Sequence, residues 1–244
     1  MDQRINSSNH LLKSLPPADF DLLRPHLQTV DMVQGDVIFE AGDIVKRVYF
    51  PHIGGISLVV ALTSGETIES GMVGRDSLIG GSSALDGKVS LNKAIVQIAG
   101  VASTLDVARL RAVADQSSAS RTILVRHEQV ILVQAQQAAA CNISHSLEER
   151  LCRRLLRCRD LIGSDKLELT QEFLSQMLGV QRSSVSIVAG TLQQAGLIRY
   201  RRGHIQIIDV DGMREAACEC YATVKAQSDR LLGAPLSAPS HKTH

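Results

Sequence analysis

The chain has 244 residues, 44% of them apolar and 21% charged, with a formal net charge of +1. That length suits two domains of ordinary size, and the composition is that of a soluble globular protein. No apolar run reaches the length of a bilayer crossing, and the N-terminal MDQRINSSNH lacks a signal-peptide core, which predicts a cytoplasmic protein with no membrane partner. In that compartment the five cysteines, Cys141, Cys152, Cys158, Cys218 and Cys220, read as reduced thiols and not as a disulfide framework.

Residues 8–27 suggest one or two short helices, the second starting at Pro16-Pro17. From Thr29 to Asp106 short β-rich runs such as DVIFEAG, VYFPHIGG and ISLVVAL are punctuated by glycines, including Gly54, Gly65, Gly80, Gly81 and Gly100. Turn signals at that spacing favour a closed β sandwich or barrel over a βαβ sheet. Tyr49-Phe50-Pro51 is expected to open a core strand.

Past Val107 the glycines vanish, and a long helix is predicted from about Ser120 to Asn142. Leu124, Ile131 and Ala138, and beside them Val125, Leu132 and Ala139, recur every seven residues. The helix either lies on the β domain as a core element or serves as a dimerisation helix. The width of the seam, with Ala135, Ala138, Ala139 and Ala140 permitting close approach, favours the second, through Leu124, Ile131, Ala135 and Ala138.

Ser146-x-x-Glu149 is a capping box, so a new helix begins there, runs to about Leu161 and stops at Gly163. Leu167-Glu168-Leu169 reads as a short strand. Thr170 caps the next helix, to Leu178, and Gln181 or Ser183 starts the one after, which ends at Gly196. LIRYRRGHIQIID then forms two short strands joined across Arg202-Gly203.

Helix, glycine turn, helix and basic hairpin describe a winged helix-turn-helix. Leu174 and Leu178 are expected to pack on Val185, Val188 and Leu192, with Ser175 small at the crossing and Gly179 at the turn. This leaves Gln181, Arg182, Ser183, Ser184 and Ser186 exposed at a helix N-terminus, where free N–H groups and a partial positive charge can hold a phosphate. Arg182 offers a donor fork matching O6 and N7 of guanine. We assign base contacts to Arg182, Ser183 and Ser186, and phosphate contacts to Gln181, Ser184, Thr170, Arg201 and Arg202.

Charge distribution supports this assignment. Residues 1–120 carry 10 Lys/Arg against 13 Asp/Glu, whereas no acidic residue occurs from Phe173 to Ile208. Arg150, Arg153, Arg154, Arg157 and Arg159 crowd the preceding helix and extend the expected cationic surface toward a polyanion. The competing reading, two helices of an ordinary bundle with Arg182 as a solvated charge, leaves the acid-free span unexplained.

The order of parts, with AACNISHSLEERLCRRLL and LTQEFLSQMLGVQRSSV, resembles the Crp/Fnr family of bacterial transcription regulators over about residues 10 to 222. The resemblance implies an α+β fold. A cyclic-nucleotide-binding-like β-roll (cupin-like) sensor domain occupies residues 1–118, a dimerisation helix and hinge 119–144, and a winged helix-turn-helix domain 145–222. A disordered tail is expected over 223–244. It further implies a homodimer on a two-fold symmetric operator of double-stranded DNA, RNA polymerase as a partner, and a small-molecule effector lined in part by residues 126–135.

Two departures narrow it. GRDSLIGGSSALDGKVSLNKAIV has Gly80-Gly81 where cyclic-AMP binders carry Gly-Glu, and no arginine follows. That argues against cyclic AMP, since a buried phosphate would lose its strongest contacts, unless Lys88 or Lys93 stands in. With no cysteine before Cys141, an iron–sulfur cluster of the family's N-terminal type is also not expected. In the recognition helix, Ser183 replaces the family's glutamate and Ile187 its second arginine, which predicts an unusual half-site.

Cys218-Glu219-Cys220 is half a zinc site, with His204 some way upstream; the alternative is a terminal helix with one thiol packed. No second ligand pair has a recognisable spacing, so no metal site is assigned. A thiol-redox or metal-responsive regulator sensing through Cys218 and Cys220 stands as the second functional reading. Cys141, Cys152 and Cys158 are expected to fill the core, and His127 to lie at the surface. No GxSxG, P-loop or H-E-x-x-H is present, so no enzymatic activity is expected.

Overall fold

The computed structural model describes residues 8–63, 67–201 and 203–233. Arg202, Gly65, the first seven residues and the chain beyond Gly233, all of which entered the sequence reading, lie outside that description.

Helices α1 (His10–Ser14) and α2 (Pro17–Leu23) open the fold. Asn9 caps α1, accepting from Leu12 N, and its Nδ2 donates to Pro51 O at 2.8 Å and Ser77 O at 2.9 Å. One buried amide thus ties the N-terminal helix to the sheet behind it.

Strands β1 (Gln28–Met32), β2 (Val37–Phe39), β3 (Arg47–Ala61), β4 (Thr67–Val73) and β5 (Lys93–Asp106) pair antiparallel in the order β1-β5-β3-β4, with β2 added on β5. No pairing among the described residues joins β1 to β4, so the expected closed barrel is instead an open roll. The long β3 and β5 bend together where their register slips at Ile53–Gly55. Gly54 has φ +97°, and a Cβ on Gly100 would stand 2.0 Å from Ile53 O, so the backbones cross closer than any side chain allows. Phe50, Val48 and Leu105 fill one core of the roll, and Ile56, Val73 and Val96 another.

A helix not anticipated from the sequence, α3 (Val107–Gln116), follows directly on β5, capped by Asp106. Ser117 caps the long helix α4 (Ser118–Ser144). Leu124, His127, Val130, Gln134, Ala138 and Cys141 form its buried side. This corrects the expected seam: Leu124 and Ala138 are spent inside their own chain, Ile131 packs on the roll, and Ala135 is half-buried. The line that stays exposed is Val125, Gln129, Leu132, Gln136, Ala139 and Ile143, spaced alternately four and three residues apart. His127 is likewise not at the surface but 1% exposed, its Nε2 meeting Ser77 Oγ at 2.5 Å and accepting from Leu78 N at 3.2 Å.

The second domain begins with α5 (Leu147–Ile162), where the capping box closes in both directions and Gly163 ends the helix at φ +73°. It continues through β6 (Lys166–Glu168), α6 (Gln171–Leu178), α7 (Arg182–Gln194), β7 (Ile198–Arg201), β8 (His204–Ile207), α8 (Val210–Ala216) and α9 (Cys220–Leu232), with sheet order β6-β8-β7. Leu151, Leu155, Leu174, Val185 and Leu192 are completely buried in its core. Each contributes on the order of 1.5–3 kcal/mol by leaving water.

Two expectations fail in this domain. The tail does not begin at 223, because α9 runs to Leu232 and packs along α4, with Leu232 reaching the core of the roll. The α5 arginines do not form an outward cationic face. Arg150, Arg153 and Arg154 are 9%, 8% and 4% exposed, and Arg154 forms an ion pair with the equally buried Glu69 on β4. Arg157 holds Asp76 at 2.6 Å and Arg159 holds Asp165 at 2.5 Å. Burial tends to raise the Asp76 carboxyl, but the Arg157 guanidinium outweighs it and holds that group below its usual range. The i, i+3 and i+4 spacing of Arg150, Arg153, Arg154 and Arg157 is the inner stripe of α5, from which Arg154 and Arg157 meet carboxylates of the roll and Arg150 donates to Leu178 O.

Candidate nucleic-acid interface

The α6–α7 pair is built by short-range rules. Thr170 caps α6, its Oγ1 accepting from Phe173 N at 3.2 Å. Gly179 turns at φ +63°, with Gly179 N bonded to Gln176 O and Val180 N to Ser175 O. Ser175 is 8% exposed at the helix crossing, its hydroxyl returned to Glu172 O at 2.7 Å. Leu174, Leu178, Val185, Ala189 and Leu192 then close the apolar seam between the helices.

What the pair presents outward is the N-terminal turn of α7. Gln181 is its N-cap, with no side-chain cap bond, so the first N–H groups of the helix face solvent together with exposed Arg182 and Ser183. Ser184 is half-buried, and the Ser186 hydroxyl donates to Arg182 O at 3.1 Å. Ile187 is 71% exposed on the same outer face. Such a side chain suits contact with a thymine methyl.

Arg182 is already oriented. Its Nε donates to Gln171 Oε1 at 3.2 Å, and its charge acts on the half-buried Tyr200 hydroxyl, which burial holds above its usual range. Gln193 Oε1 accepts from Tyr200 N at 2.8 Å, fastening the hairpin to the end of α7. Gln171, Gln193 and Tyr200 were missed from sequence, since no spacing links them to Arg182. In the hairpin, Arg199, Arg201 and His204 are exposed and Gly203 turns at φ +84° beside the Thr170 methyl. Thr170, Gln181, Arg182, Ser183 and Arg201 therefore share one end of the domain, with no carboxylate between residues 173 and 208.

The sensor side is chemically different. A cavity of about 110 Å³ between the roll and α4 is lined by Phe39, Leu58, Leu78, Gly81, His127 and Ile131 among others. Its one charged lining group is the carboxylate of Glu128, and a Cβ on Gly81 would fall 2.8 Å from Glu128 Oε1. Of the two lysines considered for a phosphate, Lys93 pairs with Glu40 at 2.8 Å and Lys88 is exposed. A larger cleft of about 210 Å³ lies between the roll, α4, α5 and α9, and its lining carries Arg75, Arg153, Arg154, Arg157 and Lys225 together with Asp76, Asp160 and Asp229.

Cys218 and Cys220 do not approach His204. They meet Cys141 and His145 at the end of α4, whereas Cys152 and Cys158 sit in the core as expected. Cys141 is buried as expected, but in a small cluster of its own with Cys218 and Cys220 and not in the apolar core that holds Cys152 and Cys158, and the sequence did not show that it and His145 would stand beside them.

Residues 149–216 match the model of the Crp-like helix-turn-helix domain. No curated protein matches the sequence. Among solved structures, the chain is similar to FixK2 from Bradyrhizobium japonicum at 15% identity, with TM-score 0.69 and 79% of this chain and 98% of that one covered. A putative Crp/Fnr regulator from Eubacterium rectale superposes at TM-score 0.64 and 16% identity, covering 85% and 97%. A Crp/Fnr regulator from Thermus thermophilus gives 0.63 at 22% identity, covering 78% and 98%. The resemblance read from the sequence is thus borne out in the fold and in the helix-turn-helix domain.

Proposed function

We propose that this chain, which has the fold of the Crp/Fnr transcription regulators and carries a Crp-like helix-turn-helix domain, is a sequence-specific DNA-binding regulator acting as a homodimer on a palindromic operator. The observation that carries the reading is the exposed N-terminal turn of α7, with Arg182 steered by Gln171, set in a surface free of acid over residues 173–208. The helix end positions a phosphate, and Arg182 reads guanine in the major groove.

Dimerisation is supported by the exposed line Val125, Gln129, Leu132, Gln136, Ala139 and Ile143, whose alternating four- and three-residue spacing is that of a coiled-coil seam. Two α7 helices on a two-fold axis enter successive major grooves about 34 Å apart. Residues 145 and 146, between α4 and α5, are the hinge about which the domains reorient in response to a signal. With Glu128 as its charged group, the cavity of the roll suits an apolar or cationic effector better than a nucleotide phosphate. RNA polymerase is the expected downstream partner.

The reading is tested by selecting duplexes from a random library with the purified full chain. A palindromic consensus with a guanine in each half-site is the expected outcome. Recovery without sequence enrichment removes the proposal. The second reading, sensing through Cys218 and Cys220, gains two residues from the structure, but as a closed cluster and not as an exposed sensor.

A further inference from the structure

Four side chains from two distant segments converge beside the hinge. Cys141 and His145 lie one turn apart at the end of α4, and Cys218 and Cys220 flank the start of α9. Their ligand atoms all lie within 4.8 Å of one another, and this is the group of metal-binding type found among the described residues. Cys141 Sγ is 3.5 Å from Cys218 Sγ, and Cys220 Sγ is 3.6 Å from His145 Nδ1. In a tetrahedron with metal–sulfur bonds of about 2.3 Å and metal–nitrogen bonds of about 2.0–2.1 Å, neighbouring ligand atoms stand roughly 3.6–3.8 Å apart.

From this geometry we infer that Cys141, His145, Cys218 and Cys220 bind one thiophilic divalent cation, zinc above all, in a closed four-coordinate site that fastens the hinge end of α4 to the start of α9.

The surroundings are those of a metal site. Glu219 Oε2 accepts from His145 Nε2 at 3.1 Å, which fixes the ring so that Nδ1 points at the thiols. A carboxylate on the far nitrogen is the usual support of a metal-bound histidine. Gln137 Nε2 donates to Cys220 Sγ at 3.0 Å, a bond that a thiolate accepts better than a thiol. All three thiols are buried, and together they form a core cluster of their own, separate from the apolar cores. Three thiolates around a dication leave one net negative charge, and the buried guanidinium groups of Arg150 and Arg153 lie near enough to act on Cys141.

A disulfide fits less well. It requires sulfurs about 2.05 Å apart, uses only two of the four donors and gives no role to the oriented histidine. Four ligands from the protein leave no open position, so the ion is structural and not a Lewis acid for chemistry. Its consequence follows from what it joins. α4 carries the exposed seam, and the α8–α9 junction follows the hairpin of the DNA-binding domain after the short helix α8. The ion thus limits how far that domain can swing about the hinge. This last step rests on the proposed function; the site itself does not.

The test uses the full chain, purified without chelator and under reducing conditions, with elemental analysis and cobalt exchange. One zinc per chain surviving dialysis is expected. Cobalt should give thiolate charge-transfer absorption together with intense tetrahedral ligand-field bands. His145→Ala and the double change Cys218→Ser, Cys220→Ser should lower metal content at least tenfold, while Cys152→Ala, in the apolar core, keeps it. Should those variants fold poorly, a mercurial titration of the native chain releases the zinc in step with three thiols.

A native chain that holds no zinc and gives no cobalt bands overturns the site. So does a mapped Cys141–Cys218 disulfide or an iron–sulfur chromophore. A stripped chain that loses DNA affinity at least tenfold and regains it with zinc supports the hinge role. A chain that holds zinc yet binds no DNA in either state overturns the proposed function and leaves the site standing.

Discussion

Glu69 on β4 and Arg154 on α5, 85 residues apart in the sequence, form a buried ion pair in which the carboxylate also accepts from Ser57 Oγ at 2.5 Å. Their side chains are 0% and 4% exposed, so the bond joins the two domains through groups withdrawn from solvent. Breaking such a pair from one side leaves a buried charge alone. Glu69→Gln should therefore cost about 3–5 kcal/mol in a urea denaturation. Adding Arg154→Met should return most of that loss. A cost under about 1 kcal/mol for the single change would mean that the contact is not kept in solution.

His52 gives the stability of the roll a pH dependence. It is 3% exposed, Nε2 meets Ser103 Oγ at 2.8 Å, and burial pushes its pKa down to about 4. The unfolded chain protonates His52 near its ordinary value of about 6.5, while the folded chain does not until far lower. Stability is thus fully present above pH 6.5 and declines as pH falls toward 4, by up to about 3 kcal/mol from this group. The unfolding midpoint measured between pH 7.5 and 5 should fall in the native chain, with a smaller fall in His52→Gln. Equal slopes in the two would assign the effect elsewhere.

The exposed line on α4 makes a prediction about assembly. Leu132 is 57% exposed and Ile143 88% in the single chain. Placing a carboxylate at the centre of the seam with Leu132→Asp should convert a dimer to a monomer in sedimentation. DNA affinity should weaken by tenfold or more, about 1.4 kcal/mol, because each half-site must then be bound alone. The corresponding change at Leu124 should unfold the chain instead, since that side chain is 1% exposed within its own core.

At the interface, base and phosphate contacts separate by their signatures. Arg182→Ala should cost about 1–3 kcal/mol and flatten preference at one base pair per half-site. Gln171→Ala, which removes the acceptor at 3.2 Å from Arg182 Nε, should reproduce part of that loss. Arg201→Ala should weaken all duplexes alike and reduce the log–log salt slope by about 0.9 for each phosphate left without its cation. If Arg182→Ala lowered affinity but left the preference intact, the guanine assignment would be wrong.

What could be read from the sequence was local. Ser146 with Glu149, Thr170 with Phe173, and the glycines at 163 and 179 announce helix ends because the capping partners lie three or four residues away. The turn, the basic hairpin and the exposed Arg182 followed from the same short-range rules. The pairings that were misread span long stretches of chain. Arg154 looks like a surface charge until Glu69 is brought to it, and the neighbours of the buried Cys141 stay unknown until Cys218 arrives from 77 residues away. The stretch from 223 onward reads as a disordered tail because the stability of α9 comes from lying along α4 and not from its own composition.

The full chain is bound to a duplex selected from the random library, and affinity and stoichiometry are followed from low to moderate salt. Two protomers per duplex are predicted, with log affinity falling linearly in log salt at a slope of roughly −4 to −5, as expected for two or three cationic contacts from each. One protomer per duplex, or an affinity indifferent to salt, would contradict binding as a dimer through phosphate contacts.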